Sequence, residues 1–293
     1  MADSAGLTLY PLGAMGWIPS GGLQTTCFAF IRGDELDIID AGTGFARLMD
    51  LRETLFKSAW PRLRSARIFL THYHLDHIAG LFWIRGILGS LPVTIYGPGP
   101  DIYGRPAIET LHGVFRKPYS PHLLKEFGPN IAIEDLNLSG LTLEGSPGSL
   151  RVSVRLNGNH SDLSVALRFG DYFAFVTDTP PEDDVVDFVR GVEVVLHESW
   201  FDSSPAYVDE DDMLENHREG PHTGSFGAGL IALRAGVSRL YLVHHNPERS
   251  IGDAEADAMK VSAELGIDCR AARDMVGIEM GECRGRPALG KRG

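Results

Sequence analysis

"THYHLDH", residues 71–77, places three histidines and an aspartate within six positions, directly behind the apolar run "RIFL" (67–70). Side chains two apart in an extended segment point the same way, so His72 and His74 can face one cation together. Asp76 and His77, turned by the start of a helix, can address a second cation beside the first. Imidazole and carboxylate donors suit zinc, manganese or iron alike.

Four donors do not complete a two-metal site, and further ligands are expected at strand ends and loops, where irregular backbone can bring lone pairs together. Three residues stand in such places. His160 lies in "LNGNHSD" after the strand-like "RVSVRL", Asp178 ends the apolar "YFAFVTDT", and His244 ends "RLYLVHH", with His245 as its rival. The spacing around them predicts strands at "CFAFI" (27–31) and "ELDIIDAG" (35–42), joined by a hairpin signal. Further strands are predicted at "PVTIYGP", "LRVSVRL", "LSVALRF" and "VEVVLHES". Helices are predicted over about 46–58, through "HIAGLFWIRGILG", and near 183–190, 224–235 and 253–265. Hairpins first and strand–helix alternation later read as an α/β sandwich of mixed sheets covered by helices. No Pro/Ser-rich linker divides the chain, so residues 1–280 are read as one domain and 281–293 as a flexible tail.

The chain has 293 residues and a formal net charge of -12, from 27 basic and 39 acidic side chains. Polyanion binding draws most of its affinity from Lys/Arg contacts to phosphate, so a general nucleic-acid binder is not expected. No apolar window is long enough to span a membrane, and the N-terminus lacks the marks of a secretory signal. The three cysteines, Cys27, Cys269 and Cys283, are scattered. They suggest reduced thiols and a cytoplasmic protein rather than a disulfide framework.

The order "THYHLDH", "NH", "TDT" and a strand ending in histidine resembles the metallo-β-lactamase superfamily over roughly residues 7–250. That resemblance implies an αββα sandwich with the site at the edges of two β-sheets. It implies that His72, His74 and His160 hold a first metal, that Asp76, His77 and His244 hold a second, and that Asp178 bridges them. The family's last ligand directly follows its strand, which favours His244 over His245. Two divalent ions are expected, zinc first, with manganese or iron as alternatives.

"LTHYHLDHIAGLFWIRG", with "PVTIYGP" after it, is similar to the branch containing ribonuclease Z and the phosphoribosyl cyclic phosphodiesterases. "LHESWF" (196–201) resembles that branch's "HEAT" motif and "PHTGS" (221–225) its "HST" motif. The resemblance implies a nucleophilic hydroxide between the metals, Asp76 among the catalytic groups, and His222 as general acid oriented by Glu198. His197 and His217 are nearby alternatives. Two features depart from the branch. Asp178 follows His160 by only 18 positions, which leaves no room there for a tRNA-gripping arm, and no cysteine-rich site appears near the N-terminus. The expectation is a dinuclear phosphodiesterase acting on a small substrate, a cyclic nucleotide being one candidate, with a homodimer compatible. The rivals are a lactonase, β-lactamase or arylsulfatase-like hydrolase on the same scaffold, and a metal-binding ligand sensor. Within the excursion 99–128, Arg116, Lys117 and Tyr119 are candidate substrate contacts.

Overall fold

Alternation of large and small side chains decides how the strands stack. In β2 (Cys27–Arg32), which follows β1 (Leu7–Gly13), Phe28 and Phe30 face one buried layer while Cys27 and Ala29 face another. A strand covered on both faces belongs in the middle of a layered structure. The computed structural model describes residues 6–120, 124–127, 130–145, 148–158, 162–202 and 214–281.

The chain continues through β3 (Glu35–Ile39), α1 (Leu48–Glu53), β4 (Ser65–Phe69), α2 (Leu75–Ile78), α3 (Ile84–Leu88) and β5 (Val93–Pro98). The excursion after β5 carries α4 (Pro100–Tyr103) and α5 (Ala107–Val114) and leads into β6 (Ile131–Leu136). The second half runs β7 (Leu141–Leu143), β8 (Leu150–Asn157), β9 (Ser164–Phe169), β10 (Phe173–Val176), α6 (Asp183–Val189) and β11 (Val194–Glu198). A short hairpin of β12 (Arg218–Glu219) and β13 (His222–Thr223) precedes α7 (Ser225–Arg234), β14 (Arg239–Val243), α8 (Ile251–Leu265), β15 (Asp268–Ala271) and β16 (Ile278–Met280).

These strands form two seven-stranded sheets, ordered β16-β1-β2-β3-β4-β5-β6 and β15-β14-β11-β10-β9-β8-β7. Both progress in the same way. An antiparallel meander (β1–β3, then β7–β10) passes into parallel strands joined by crossovers (β3–β6, then β10–β11–β14–β15). Residues near the two ends of the chain meet in the first sheet, where β16 pairs with β1. Helices α6, α7 and α8 cover the outer face of the second sheet, and α1, α3 and α5 that of the first. The expected αββα sandwich is therefore present. Among the described residues no helix is long and apolar enough to cross a membrane.

Two expected helices are shorter than their periodicity suggested. The pattern over 46–58 holds an α-helix only to Glu53, after which turns carry Phe56 into the core. The run "HIAGLFWIRGILG" breaks at Gly80, whose N–H bonds to the Ala41 carbonyl at 2.6 Å. A Cβ there would stand 2.4 Å from that of Phe45, so only glycine permits the approach. Strands β1, β6, β7, β12, β13, β15 and β16 were not expected from the sequence.

Aromatic rings fill the space between the sheets. Phe169 meets Phe30 and Phe69 edge-on at 5.6 and 5.3 Å and stacks on Phe173 at 4.9 Å. Phe30 and Phe69 come from the first sheet, Phe169 and Phe173 from the second, so this cluster holds the layers together. Phe169→Ala should cost about 3–5 kcal/mol of unfolding free energy in urea titrations, from lost transfer energy plus a cavity. A loss below about 1 kcal/mol would show that the layers are held elsewhere.

Candidate metal centre

The parallel strands of both sheets end on one side of the molecule, and the chemistry collects there, as α/β sheets tend to arrange it. Strand β3 delivers Asp40, β4 leads into Thr71–His77, β10 into Asp178, β11 ends at Glu198, and β14 leads into His244. Only five described non-glycine residues adopt left-handed backbone: Trp17, Asp40, Asp178, His244 and Met275. All but Met275 belong to this region. A left-handed step immediately after a strand turns the side chain out of the pleat, and such strained positions concentrate at functional sites.

Asp40 organises the histidine-rich turn. Its carboxylate accepts hydrogen bonds from the N–H and the hydroxyl of Thr71, each at 2.8 Å. It also lies 2.8 Å from His77 Nδ1. With Nδ1–H directed at Asp40, His77 Nε2 is set towards Asp76 and Asp178, 3.3 Å from a carboxylate oxygen of each. His244 Nε2 approaches the same two oxygens at 3.6 and 3.4 Å, while its Nδ1 lies 3.6 Å from Glu198 Oε2. Among the described residues, neither His77 Nε2 nor either nitrogen of His244 finds a hydrogen-bond partner of good geometry, although all three are buried. Buried polar atoms held opposite one another without bonding are costly unless they share a cation.

The donors fall into overlapping groups, each within 4.8 Å: His72/His77/Asp178, Asp76/His77/His244 and Asp178/His222/His244. Asp178, His77 and His244 each belong to two of the three groups, so the groups form one continuous cluster. The ring of His74 packs edge-on against His72 at 4.5 Å and lines the cleft. His160 lies outside the described residues. The flanks of its loop are tied to the site, since Asn157 Nδ2 donates to the Thr177 carbonyl at 3.0 Å and Ser164 Oγ to that of Asp178 at 2.8 Å.

The electrostatics suit positive charge. Burial works to lower the His77 pKa, but the carboxylates of Asp76, Asp40 and Asp178 overcome it and raise the value well above the ordinary histidine range. Burial is likewise outweighed at His244, where Asp178, Asp76 and Glu198 push the pKa up to about 10. Asp76, whose pKa burial alone would raise, is held far below the usual carboxylate range by His77 and His244. Burial, reinforced by His77, keeps His72 well below the usual histidine value. In the absence of a cation, protons would occupy part of the positions that metal charge fills.

Beside this cluster stands a second pair. His222 Nδ1 lies 2.8 Å from Oε2 of the fully buried Glu198. The other oxygen, Oε1, accepts from the Thr179 N–H at 2.8 Å and the Thr223 N–H at 3.3 Å. Burial would raise the Glu198 pKa, but His222 brings it down to about 2, so the group stays ionised. Trp200 stacks on His222 at 4.3 Å and 13°.

A cleft of about 610 Å³ opens here, lined by Trp17, His74, Leu75, Asp76, Asp178, Trp200, His222 and His244. His245 lies outside it. Its Nε2 bonds to the Ala272 carbonyl at 3.1 Å, and its backbone anchors Ala14 and Gly16. His197 and His217 are buried away from the cleft. Arg116, Lys117 and Tyr119, the candidate substrate contacts, are exposed just past the end of α5 and are not among the residues that line this cleft. Positive charge in an excursion says nothing of where the excursion lies. Asp40 carries no signal in the sequence beyond an aspartate closing a strand, and Trp17 is hidden in a glycine-rich loop.

Residues 20–199 match the Metallo-beta-lactamase superfamily. A ribonuclease Z of Thermoplasma volcanium is 25% identical over 258 residues, covering 73% of this chain and 79% of that protein. The metallo-beta-lactamase fold protein YhfI from Bacillus subtilis has a TM-score of 0.69 at 19% identity, covering 94% of this chain and 99% of its own. A diphosphatase from the PhnP family has a TM-score of 0.65 at 16% identity, with coverage of 94% and 99%. By the match over most of its length and by the His/Asp clusters at its strand ends, the chain belongs to the metallo-beta-lactamase superfamily as a metal-dependent hydrolase.

Proposed function

We propose that the chain hydrolyses a small phosphodiester at a dinuclear metal centre, with His222 protonating the leaving oxygen. The observation that carries this reading is the His222–Glu198 pair, held at 2.8 Å on the rim of the metal cluster. His72, His74, His160 and Asp178 would hold one divalent ion, and Asp76, His77, His244 and Asp178 the other. Bound there, the ions would polarise a phosphoryl oxygen and make water nucleophilic at neutral pH.

The protein's own part is orientation and proton transfer. Glu198 fixes Nδ1–H of His222, which confines proton exchange with the cleft to Nε2, on the opposite edge of the ring. Trp200 covers one face of that ring and limits its tilt. A departing alkoxide needs such a proton, and an acyl or lactone reaction has no clear need for this pair, so phosphodiester chemistry is favoured. The similarity to proteins named ribonuclease Z points the same way. Three features favour a small substrate over tRNA. The net charge is -12, the interval before Asp178 is occupied by β9 and β10, and the cleft has the size of small-ligand sites.

A second reading rests on the cluster Asp178/His222/His244, in which His222 is near enough to be a ligand itself. Metal analysis separates the two. His222→Ala should keep its metal content, and loss of an ion would make His222 a ligand. A panel of a phosphodiester, a lactone, a cephalosporin and an aryl sulfate on metal-loaded protein tests the reaction class. Turnover confined to the lactone, cephalosporin or sulfate would replace the phosphodiesterase reading, and tight ligand binding without turnover would favour a sensor.

Two further outcomes are expected. Asp40→Asn disturbs the acceptor that sets the His77 ring and should weaken metal affinity about 10- to 100-fold, measured by competition with a chelating dye; an unchanged affinity would mean that His77 is oriented without Asp40. His222→Ala should slow hydrolysis of a diester with an alkoxide leaving group about 10²- to 10⁴-fold, and that of bis(p-nitrophenyl) phosphate much less. Equal losses on both substrates would assign His222 to positioning instead.

A further inference from the structure

The floor of the cleft is polar, but its lip is not. Trp17 is 62% exposed and Leu75, the first residue of the helix that carries Asp76 and His77, is 64% exposed. Both side chains line the cleft, so they form an apolar lip beside its polar floor.

Trp17 is held in place rather than loose. Its backbone N–H donates to Asp76 Oδ2 at 2.8 Å. The preceding Gly16 donates its N–H to the His245 carbonyl at 2.9 Å. A Cβ on Gly16 would lie 2.5 Å from His244 Cε1 and 2.6 Å from Trp200, so the loop rests directly on the metal-site histidine. Asp274 ties down both sides of this loop, accepting from Ala14 N–H at 2.9 Å and from Gln24 N–H at 2.7 Å. Trp17 itself has φ 55°. That conformation is disfavoured for a bulky residue and comfortable for asparagine or glycine. Nothing in the loop's backbone calls for an indole, and the fold buries little of it.

The cleft's other indole, Trp200, is already engaged, with a face against His222. Among the described residues that line the cleft, Trp17 is thus an indole open to a substrate at the mouth. We propose that Trp17 is a specificity residue, a stacking platform that selects phosphodiesters carrying a planar aromatic base; this rests on the phosphodiesterase reading. The substrate class is then a nucleoside phosphodiester rather than a sugar or glycerol diester. Its base lies on the lip while its phosphate reaches the metal centre on the floor of the same cleft.

Trp17→Asn is the decisive variant, because asparagine accepts the left-handed backbone and keeps the N–H bond to Asp76 while removing the ring. On metal-loaded protein, kcat/KM is compared for an adenosine cyclic phosphate and a cyclic phosphate of glycerol. The preference for the adenosine substrate should fall about 5- to 150-fold in the asparagine variant, the range that base–aromatic stacking supplies, and Trp17→Phe should restore most of it. Calorimetric binding of adenosine monophosphate against glycerol phosphate should show the same loss of preference. This second arm keeps the two ideas apart. If neither diester is turned over, the phosphodiesterase reading falls, and the binding preference still decides the role of Trp17. A preference that is unchanged in the asparagine variant, or absent from the parent protein, would overturn the proposal.

Discussion

Four carboxylates, Asp40, Asp76, Asp178 and Glu198, are buried or nearly so around the imidazoles of His72, His77 and His244. Removing that much negative charge from water is strongly unfavourable unless positive charge accompanies it. The geometry shows how the protein divides the task. Asp40 is satisfied internally by Thr71 and His77, and Glu198 by His222 and two backbone amides. Asp76 accepts from the Trp17 backbone N–H and Asp178 from the Thr177 hydroxyl, yet both also face the Nε2 atoms of His77 and His244 at 3.3–3.6 Å without hydrogen bonds to them. Those contacts make sense around cations, and much else in the site serves to hold them open.

Both sheets contribute to that requirement in the same way. Each begins as a meander and passes into parallel strands, and the polar residues sit where the parallel strands end. The aromatic layer between the sheets sets their spacing and therefore the distance across the centre. Because Asp178 and His244 come from one sheet, and His72 and His77 follow a strand of the other, a shift between layers would part the donors. Core packing and metal binding are thus coupled through geometry, although no core phenylalanine lines the cleft.

Much of this was legible in the chain. "THYHLDH" is dense enough in donors to declare a metal site, and apolar strands that end abruptly in Asp178 and His244 supply plausible partners. Glu198 and His222 became visible only through the resemblance of their motifs, since a glutamate at a strand end and a lone loop histidine are ordinary. Asp40 was not legible, because its role depends on a strand pairing, β3 beside β4, that brings it under Thr71. Trp17 was hidden for a related reason: the glycines around it signal backbone freedom and not which neighbour the loop will touch. Arg116, Lys117 and Tyr119 show a different limit. Their chemistry suits phosphate, but side-chain chemistry does not set position, and none of the three is among the residues lining the described cleft.

Anomalous diffraction from crystals of the metal-loaded protein, collected at the absorption edge of the bound element, tests the central claim most directly. The account predicts two ions, one among Asp76, His77 and His244 and one at His72 and His74, with Asp178 contacting both. A single ion, or an ion held by His222 and away from His72 and His74, would contradict it.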